Sequence, residues 1–250
     1  MNTVIIVLAT NDYWKGAQTL FHCIRKYSRT SSVPRMVALG ATQCRGAELL
    51  EIGIDYSSIP VNIKHFPNVA AKLFALTLQC DRIVLMDADI LCVGDCSFLW
   101  SNSIGKLPFY ACRDTASILY YQEIIEEIGL DPCRLFNAGT MIFHPKLLPP
   151  SFHDLIVSEI LRGSLRAYDG GDQGYLNHYF QRESIEIGFL PVEYNESTDI
   201  YMPSLPDHAK RLIHFTGSNA NPWSPKLASN DRRWPWVKRW QREWEESSRK

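Results

Sequence analysis

Two carboxylates follow directly on an apolar run that is typical of a buried strand. Asp87 and Asp89 come after residues 82–86 and are separated only by Ala88. In a strand, residues i and i+2 point to the same side, so both carboxylates can converge on one hard cation. Such a cation binds the oxygens of a diphosphate. An acidic turn without a ligand is the alternative, because aspartate is common where strands become loops.

Four other segments place polar side chains beside apolar runs. Residues 10–13 follow the first run and supply a hydroxyl, an amide and an aromatic ring suited to a nucleoside. Residues 136–139 open a strand predicted at 141–143. Residues 169–174 set two carboxylates and an amide among glycines, where backbone can approach a ligand closely. His214 ends the last buried run, and a core histidine without a ligand is its alternative interpretation.

The elements that must position these groups alternate through the first hundred residues. Apolar runs predict strands over residues 4–9, 36–39 and 82–86, and apolar spacings of three and four predict helices over 16–27, 47–52 and 70–78. This order predicts an α/β fold with a mostly parallel central sheet and flanking helices. In such sheets, ligands gather beyond the carboxyl ends of the strands.

The remaining sequence predicts helices over 117–128 and 152–161 and strands over 141–143, 185–190 and 212–215. No internal repeat, low-complexity segment or linker divides the chain, so one domain over residues 1–250 is expected. At the end of the chain, Trp236, Trp240 and Trp244 recur every four residues. This spacing predicts a tryptophan-rich helix within 230–250 that packs on the domain, or alternatively joins two copies in a homodimer.

Composition limits the function classes. The 250 residues are 46% hydrophobic and 21% charged with a net charge of −1, which excludes a disordered chain and disfavours a broad nucleic-acid surface. No apolar stretch is long enough to span a membrane, so no membrane partner is expected. The seven cysteines are scattered and predict free thiols in a reducing compartment. We therefore expect a cytoplasmic protein.

Taken together, these segments resemble glycosyltransferase family 8, in particular its glycogenin-type members. The matching stretches occur in the family's order over about residues 3–223. They are 9–17, 72–73, 86–89, 111–114, 136–139, 171–174, 190–195 and 214–217. The resemblance implies a GT-A fold and a manganese-dependent, retaining transferase that uses a UDP-hexose. Mixed carboxylate and imidazole ligands suit Mn²⁺ better than Mg²⁺, which is the alternative ion.

The resemblance also implies a role for each matched position. The metal is held by Asp87, Asp89 and His214. The nucleotide is bound by Leu8, Thr10, Asn11, Tyr13, Asp87 and Ala88, with Tyr13 stacked on the base. The hexose and its phosphate are surrounded by Lys72, Asp114, Asn137, Asp169 and Gly217. Asp172 and Gln173 are the catalytic residues and face the positive charge that develops on the sugar. A covalent intermediate and an internal-return path both stay open, and a solvated helix lysine is the alternative for Lys72.

Two departures from the family pattern bear on the chemistry. The family motif H-x-x-G-x-x-K-P-W is one residue longer here, and Asn221 replaces its lysine. The loss of that charge from the leaving-group site predicts that Lys226 or the metal compensates. The stretch between Asp114 and Asn137 is also longer than expected, and its Tyr120 and Tyr121 are candidates for an acceptor site.

The leading hypothesis is transfer of galactose or glucose from a UDP-sugar to a hydroxyl of a glycan-bearing protein, with an α-linkage. Within the family this resembles the cytoplasmic galactosyltransferases of protists, and galactinol synthases are similar too. A self-glucosylating glycogen primer is the first alternative, with Tyr201 as the nearest acceptor tyrosine. A non-catalytic scaffold that binds a nucleotide sugar is the second.

Overall fold

The structure is a computed structural model that describes most of the chain. The described residues are 1–10, 13–30, 32–40, 54–57, 72–169, 171–198, 204–216, 222–223, 231 and 233–249. The helix predicted over residues 47–52 lies outside them.

Ten strands and five α-helices occur in the described part of the chain. The strands are β1 (Thr3–Leu8), β2 (Arg35–Leu39), β3 (Asp55–Ser57), β4 (Arg82–Met86), β5 (Ile90–Cys92), β6 (Phe109–Arg113), β7 (Phe136–Phe143), β8 (Ile187–Leu190), β9 (Glu196–Ser197) and β10 (Leu212–His214). The helices are α1 (Tyr13–Tyr27), α2 (Ala116–Glu127), α3 (Phe152–Leu161), α4 (Asp172–Arg182) and α5 (Trp234–Ser248).

Seven of these strands form the central sheet, in the order β3-β2-β1-β4-β7-β6-β8. All neighbours are parallel except β7, which runs antiparallel to both β4 and β6. The predicted α/β fold with a mostly parallel sheet is therefore confirmed. The direction of β7 was not predicted, because an apolar run has the same pattern in either direction.

Helices cover both faces of this sheet. Ile5 and Val7 of β1 belong to the same core as Leu20 and Phe21 of α1. Ile6 faces the other way and belongs to the core that includes α3 and α4. Because β1 is buried on both faces, it consists of a continuous apolar run. Each fully buried aliphatic side chain contributes about 1.5–3 kcal/mol to folding.

A smaller sheet brings distant segments to the end of β4. β10 pairs with β5 in antiparallel fashion and with β9 in parallel fashion. In this register His214 lies opposite Ile90, the residue after Asp89. The end of β10 is therefore fixed beside the two carboxylates that follow β4.

The structure differs from the predicted elements in a boundary, a helix type and an additional helix. The strand predicted at 141–143 begins at Phe136, so residues 136–139 lie within β7 and not before it. The helix predicted over 70–78 is largely a 3-10 helix, Phe74–Thr77, in its described part. Helix α4 was not predicted, since residues 169–174 were interpreted only as a segment whose glycines let the backbone approach a ligand. The spacing of Leu176 and Phe180, both buried, was a usable signal for it.

Helix α5 packs against α1 at the edge of the domain. The Trp240 side chain is 2% exposed and stacks on Trp244, with ring centroids 6.1 Å apart and an interplanar angle of 6°. Trp244 in turn contacts Trp14 of α1 edge-on at 5.3 Å. Across the same interface, Glu243 accepts a hydrogen bond of 2.8 Å from Lys26. Among the described residues, no helix has both the length and the apolar character needed to cross a membrane.

Candidate active site

The predicted metal ligands converge in the structure. Nε2 of His214 lies 3.4 Å from Oδ1 of Asp89 and 3.7 Å from Oδ2 of Asp87. One ligand atom from each of the three side chains lies within 4.8 Å of the others. Backbone hydrogen bonds hold the segment in place, from the Asp87 N–H to Gly139 and from the Phe215 N–H to the Asp89 carbonyl.

The donor set and its surroundings fit a divalent cation. Gly139 lies against the imidazole ring of His214, so a side chain at this position would collide with the ring. The ring therefore directs Nε2 towards the carboxylates. Burial lowers the pKa of His214, but Asp89 and Asp87 outweigh this effect and the net shift is upward. Burial also raises the pKa of Asp87 to about 6. Two oxygens and one imidazole nitrogen suit manganese, zinc or iron better than magnesium.

Lys72 connects the metal-ligand candidates to the predicted catalytic residues. Its side chain lies 2.5 Å from Oδ1 of Asp87 and also forms an ion pair with Asp172. Lys72 is only 6% exposed, so the alternative of a solvated helix lysine is wrong. Burial opposes its charge, but Asp172 and Asp87 outweigh burial and raise the pKa of Lys72 well above its ordinary value. The lysine is therefore a cation at neutral pH.

Two cavities meet at these charged groups. The first, the β1 cavity, has a volume of about 220 Å³. It is lined by Leu8, Thr10, Tyr13, Lys72, Asp87, Ala88, Asp89 and Asp172. The second, the β7 cavity, has a volume of about 390 Å³. The predicted site residues that line it are Asp87, Asp89, Asp114, Asn137, Asp169, Asp172, Gln173 and His214. The residues predicted to bind a nucleotide and those predicted to bind a sugar thus line adjoining spaces.

Gln173 is held by hydrogen bonds at both ends of its amide group. Its Oε1 accepts from the Ala138 N–H at 3.0 Å, and its Nε2 donates to Asp114 at 2.5 Å and to Ser117 at 2.9 Å. These bonds fix the amide orientation and join α4 to β7 and to the start of α2. Asp172, the neighbouring residue, instead faces the junction of the two cavities.

Asp169 and Asn137 line the β7 cavity and also shape its wall. Oδ1 of Asp169 accepts from the N–H groups of Gly171 and Gly174, at 2.9 and 3.0 Å. Oδ1 of Asn137 accepts from the Gly139 N–H at 2.8 Å and from Nδ2 of Asn195 at 2.7 Å. Both side chains therefore stabilise the backbone that carries the predicted ligands.

Some predicted positions lie outside the described residues, namely Asn11, Tyr201, Gly217, Asn221 and Lys226.

Conversely, three residues of the site had no role assigned from the sequence. Ser117 and Tyr168 accept from the Gln173 amide, and Asn195 supports Asn137. Their residue types and spacing carry no distinctive signal. Asn195 alone stood within a stretch that resembled the family.

This architecture is the GT-A fold of glycosyltransferases. The structure of the galactosyltransferase LgtC in complex with donor and acceptor sugar analogs superposes with a TM-score of 0.70. The match covers 97% of this chain and 95% of that chain at 19% sequence identity. The profile of Glycosyl transferase family 8 matches residues 4–226. The chain therefore belongs to glycosyltransferase family 8, as its motifs indicated.

Curated relatives include glycogenins. Human Glycogenin-2 is 24% identical over 242 residues, which cover 88% of this chain and 43% of that protein. Glycogenin-1 of Caenorhabditis elegans is 25% identical over 249 residues, which cover 91% of this chain and 52% of that protein. The chain thus spans about half the length of these relatives.

Proposed function

We propose that this protein is a retaining, manganese-dependent glycosyltransferase. It moves galactose or glucose from a UDP-sugar to a hydroxyl of a glycan-bearing protein, with an α-linkage. The observation that carries the proposal is the convergence of His214 on Asp87 and Asp89, the two carboxylates that line both cavities. A cation held there would contact a diphosphate whose nucleoside occupies one cavity and whose sugar occupies the other.

The β1 cavity suits the nucleoside. Leu8 and Thr10 lie at the carboxyl end of β1, the usual position of ligands in open α/β sheets. Tyr13 begins α1 and contacts Trp223 edge-on at 5.1 Å, which leaves its ring at the cavity wall. We assign uracil and ribose contacts to Leu8, Thr10, Tyr13 and Ala88.

Departure of UDP leaves negative charge on the diphosphate and positive charge on the sugar. A bound Mn²⁺ would supply Lewis-acid stabilisation of the leaving oxygens. Lys72 adds a fixed, buried cation at the same place. Asp172 lines both cavities, and we assign its carboxylate the stabilisation of positive charge at the anomeric carbon. The hydrogen bond from Gln173 to Asp114 joins α4 to the segment before α2, beside the proposed sugar position.

We assign the acceptor to the β7 cavity as well. Tyr120 and Tyr121 of α2 line this cavity, and the backbone of α2 departs from helical geometry at Tyr121 (φ −131°, ψ 19°). Flat aromatic rings beside the sugar site suit a glycan acceptor. The similarity to glycogenins supports a self-glucosylating primer as the second candidate. Intact-mass measurement after incubation with UDP-glucose separates the two, because only self-transfer adds hexoses to this chain.

The central test is hydrolysis of UDP-galactose and UDP-glucose with and without Mn²⁺. We expect metal-dependent release of UDP from one of them, abolished by chelation. Asp89→Asn should reduce the rate of hydrolysis at least about 100-fold. The change removes the negative charge of a carboxylate that would bind the metal next to the diphosphate. Asp154→Asn makes the same chemical change at an exposed position on α3 and should have no effect. Full activity of Asp89→Asn would refute the assignment. Binding of the UDP-sugar by calorimetry without any hydrolysis would instead favour the non-catalytic scaffold.

Two further parts of the proposal concern location and self-association. The six described cysteines are free thiols, which supports the cytoplasm as the site of action. Helix α5 keeps a partly exposed tryptophan at its start, Trp234, which supports a homodimer through this helix. Light scattering tests the dimer: a monomer mass at all concentrations contradicts it.

A further inference from the structure

A third cavity lies beside the proposed active site, between α5 and the segment that carries β9 and β10. Its volume is about 620 Å³. We call it the α5 groove. It shares Glu196 and Ser197 with the β7 cavity, so the two spaces adjoin. A polypeptide bound in the α5 groove is therefore next to the β7 cavity, where the acceptor is proposed to bind.

The groove concentrates positive charge. Its described lining includes five cationic side chains, Lys210, Arg233, Lys238, Arg239 and Arg242, and two carboxylates, Glu196 and Asp207. The formal charge of this lining is +3, and Asp231, which pairs with Arg233 from outside the lining, reduces the local charge to +2, whereas the whole chain carries −1. The carboxylate of Glu196 already accepts hydrogen bonds from Ser204 and Leu205. The adjoining β7 cavity is instead dominated by carboxylates, so positive and negative charge are separated between neighbouring spaces.

The floor of the groove is ordered. Lys210 is 5% exposed, and its Nζ lies 2.9 Å from Asp207 and 4.8 Å from the ring centroid of Trp236. The guanidinium of Arg239 lies 5.8 Å from the same ring and donates to the Val93 carbonyl at 3.2 Å. Two cations and an indole ring are thus positioned before any ligand arrives. Such preorganisation lowers the entropic cost of binding.

The rim is formed by exposed cations on α5. Lys238 and Arg242 lie one helical turn apart and both line the groove. Exposed charges of this kind accelerate association with an oppositely charged partner and select it, and their effect falls with salt. The cations on the floor of the groove and those on its rim therefore favour the same kind of ligand, which is one with several negative charges.

We infer that the α5 groove binds an acidic polypeptide segment of the acceptor protein, next to the glycan that is extended. This inference rests on the proposed transferase function and specifies its acceptor. Carboxylates pair with the lysines and arginines, and Trp236 contacts the apolar part of the segment. A polypeptide fits better than a nucleic acid, because the positive charge is confined to one concavity on a chain of net charge −1.

Binding of fluorescein-labelled octaglutamate, followed by anisotropy, tests the inference on the full chain. We expect saturable binding that weakens as salt rises, and no binding of octaglutamine. Lys238→Glu/Arg242→Glu should weaken octaglutamate binding at least about tenfold. Lys106→Glu/Arg162→Glu changes the net charge equally at exposed positions outside the groove and should stay within about twofold of the unchanged protein.

Three results would overturn the inference. They are equal weakening by both double variants, octaglutamine binding as tight as octaglutamate, and an oligothymidylate of equal charge binding more tightly than octaglutamate. Circular dichroism establishes that both variants fold. Hydrolysis of the UDP-hexose with Mn²⁺ should be unchanged in Lys238→Glu/Arg242→Glu, since neither residue lines the β1 or β7 cavity. Absence of hydrolysis in the unchanged protein refutes the transferase proposal. If hydrolysis is intact but the substitutions in the groove do not weaken peptide binding more than the control substitutions, only the inference about the groove is refuted.

Discussion

Nζ of Lys72 lies 2.5 Å from Oδ1 of Asp87, and the same ammonium pairs with Asp172. One buried cation therefore joins a candidate metal ligand to a candidate catalytic carboxylate. Asp89 adds a third carboxylate nearby, so the cluster has more negative than positive charge. The excess negative charge favours a divalent cation, and it also means that the cation and Lys72 compete for Asp87.

Replacing Lys72 by methionine should separate these two effects. Lys72→Met removes the charge that opposes a metal at Asp87, so we expect Mn²⁺ affinity to rise about tenfold, equivalent to about 1.4 kcal/mol. The same change removes a stabilising cation from the leaving group, so UDP-hexose hydrolysis should fall about 100- to 1,000-fold. Calorimetry and steady-state kinetics measure the two quantities.

Lys146→Met is the control for this variant. Lys146 also pairs with an aspartate, Asp81 at 2.6 Å, but its side chain is 77% exposed. An exposed pair of this kind contributes little, so both Mn²⁺ affinity and hydrolysis should match those of the unchanged protein. Weaker Mn²⁺ binding by Lys72→Met would contradict the competition between the lysine and the metal.

Gly139→Ala should impair metal binding although it replaces none of the candidate ligands. A Cβ on Gly139 would lie 2.6 Å from Oδ1 of Asn195 and closer still to the His214 ring, so the imidazole must move. Displacing a residue that orients a ligand typically costs 10- to 100-fold in affinity, and we expect a loss of about that size in Mn²⁺ titrations. At Gly171 the nearest atom to an added Cβ is 3.5 Å away, so Gly171→Ala should bind Mn²⁺ normally.

Gln173→Glu tests the hydrogen-bond network around the amide. The change keeps an acceptor for the Ala138 N–H but places a second carboxylate against Asp114. Like charges at this distance raise the pKa of the introduced acid. The folded variant then binds more protons than the unfolded chain, so its stability relative to the parent protein falls as pH rises above about 4. Thermal unfolding should show a deficit of about 1–3 kcal/mol at pH 8 that shrinks towards pH 5. A deficit independent of pH would argue against this pairing.

Glu243→Gln tests the contact between α1 and α5. Burial opposes ionisation of Glu243, but hydrogen bonds from Lys26 and Tyr27 outweigh it and lower its pKa below the ordinary 4.5. A lowered folded pKa contributes stability that is present above pH 4.5 and lost as pH falls through the folded value. We expect the variant to lose about 2 kcal/mol at pH 7, or roughly 4–8 °C in Tm, and the difference to shrink at pH 3.5.

The matched control is Glu245→Gln on the same helix, where the carboxylate is 65% exposed. Its Tm should change by less than about 1 °C, because exposed ion pairs contribute little. A Glu243→Gln deficit that persists unchanged at pH 3.5 would show that packing, and not charge, holds the two helices together.

The sequence was sufficient to predict the family and the strands β1, β2 and β4. It was also sufficient to predict the candidate metal ligands, and the reasons are physical. A strand buried on both faces must be apolar throughout, which makes residues 4–8 and 82–86 recognisable. Ligands that follow such a strand must be polar, so Asp87 and Asp89 stand out against it. His214 was recognisable only together with its neighbours, because a single histidine has many structural uses.

Tertiary structure alone decided which of these groups face one another. The antiparallel direction of β7 and the pairing of β10 with β5 bring Gly139 and His214 together across 75 positions of sequence. Neither pairing has a local signal, because strand direction and partner depend on contacts far apart in the chain. The same holds for Lys72. Its ion pairs with Asp87 and Asp172 depend on the tertiary structure and could not be predicted from the sequence. Sequence thus determined the chemical groups available, and long-range packing determined which groups form the site.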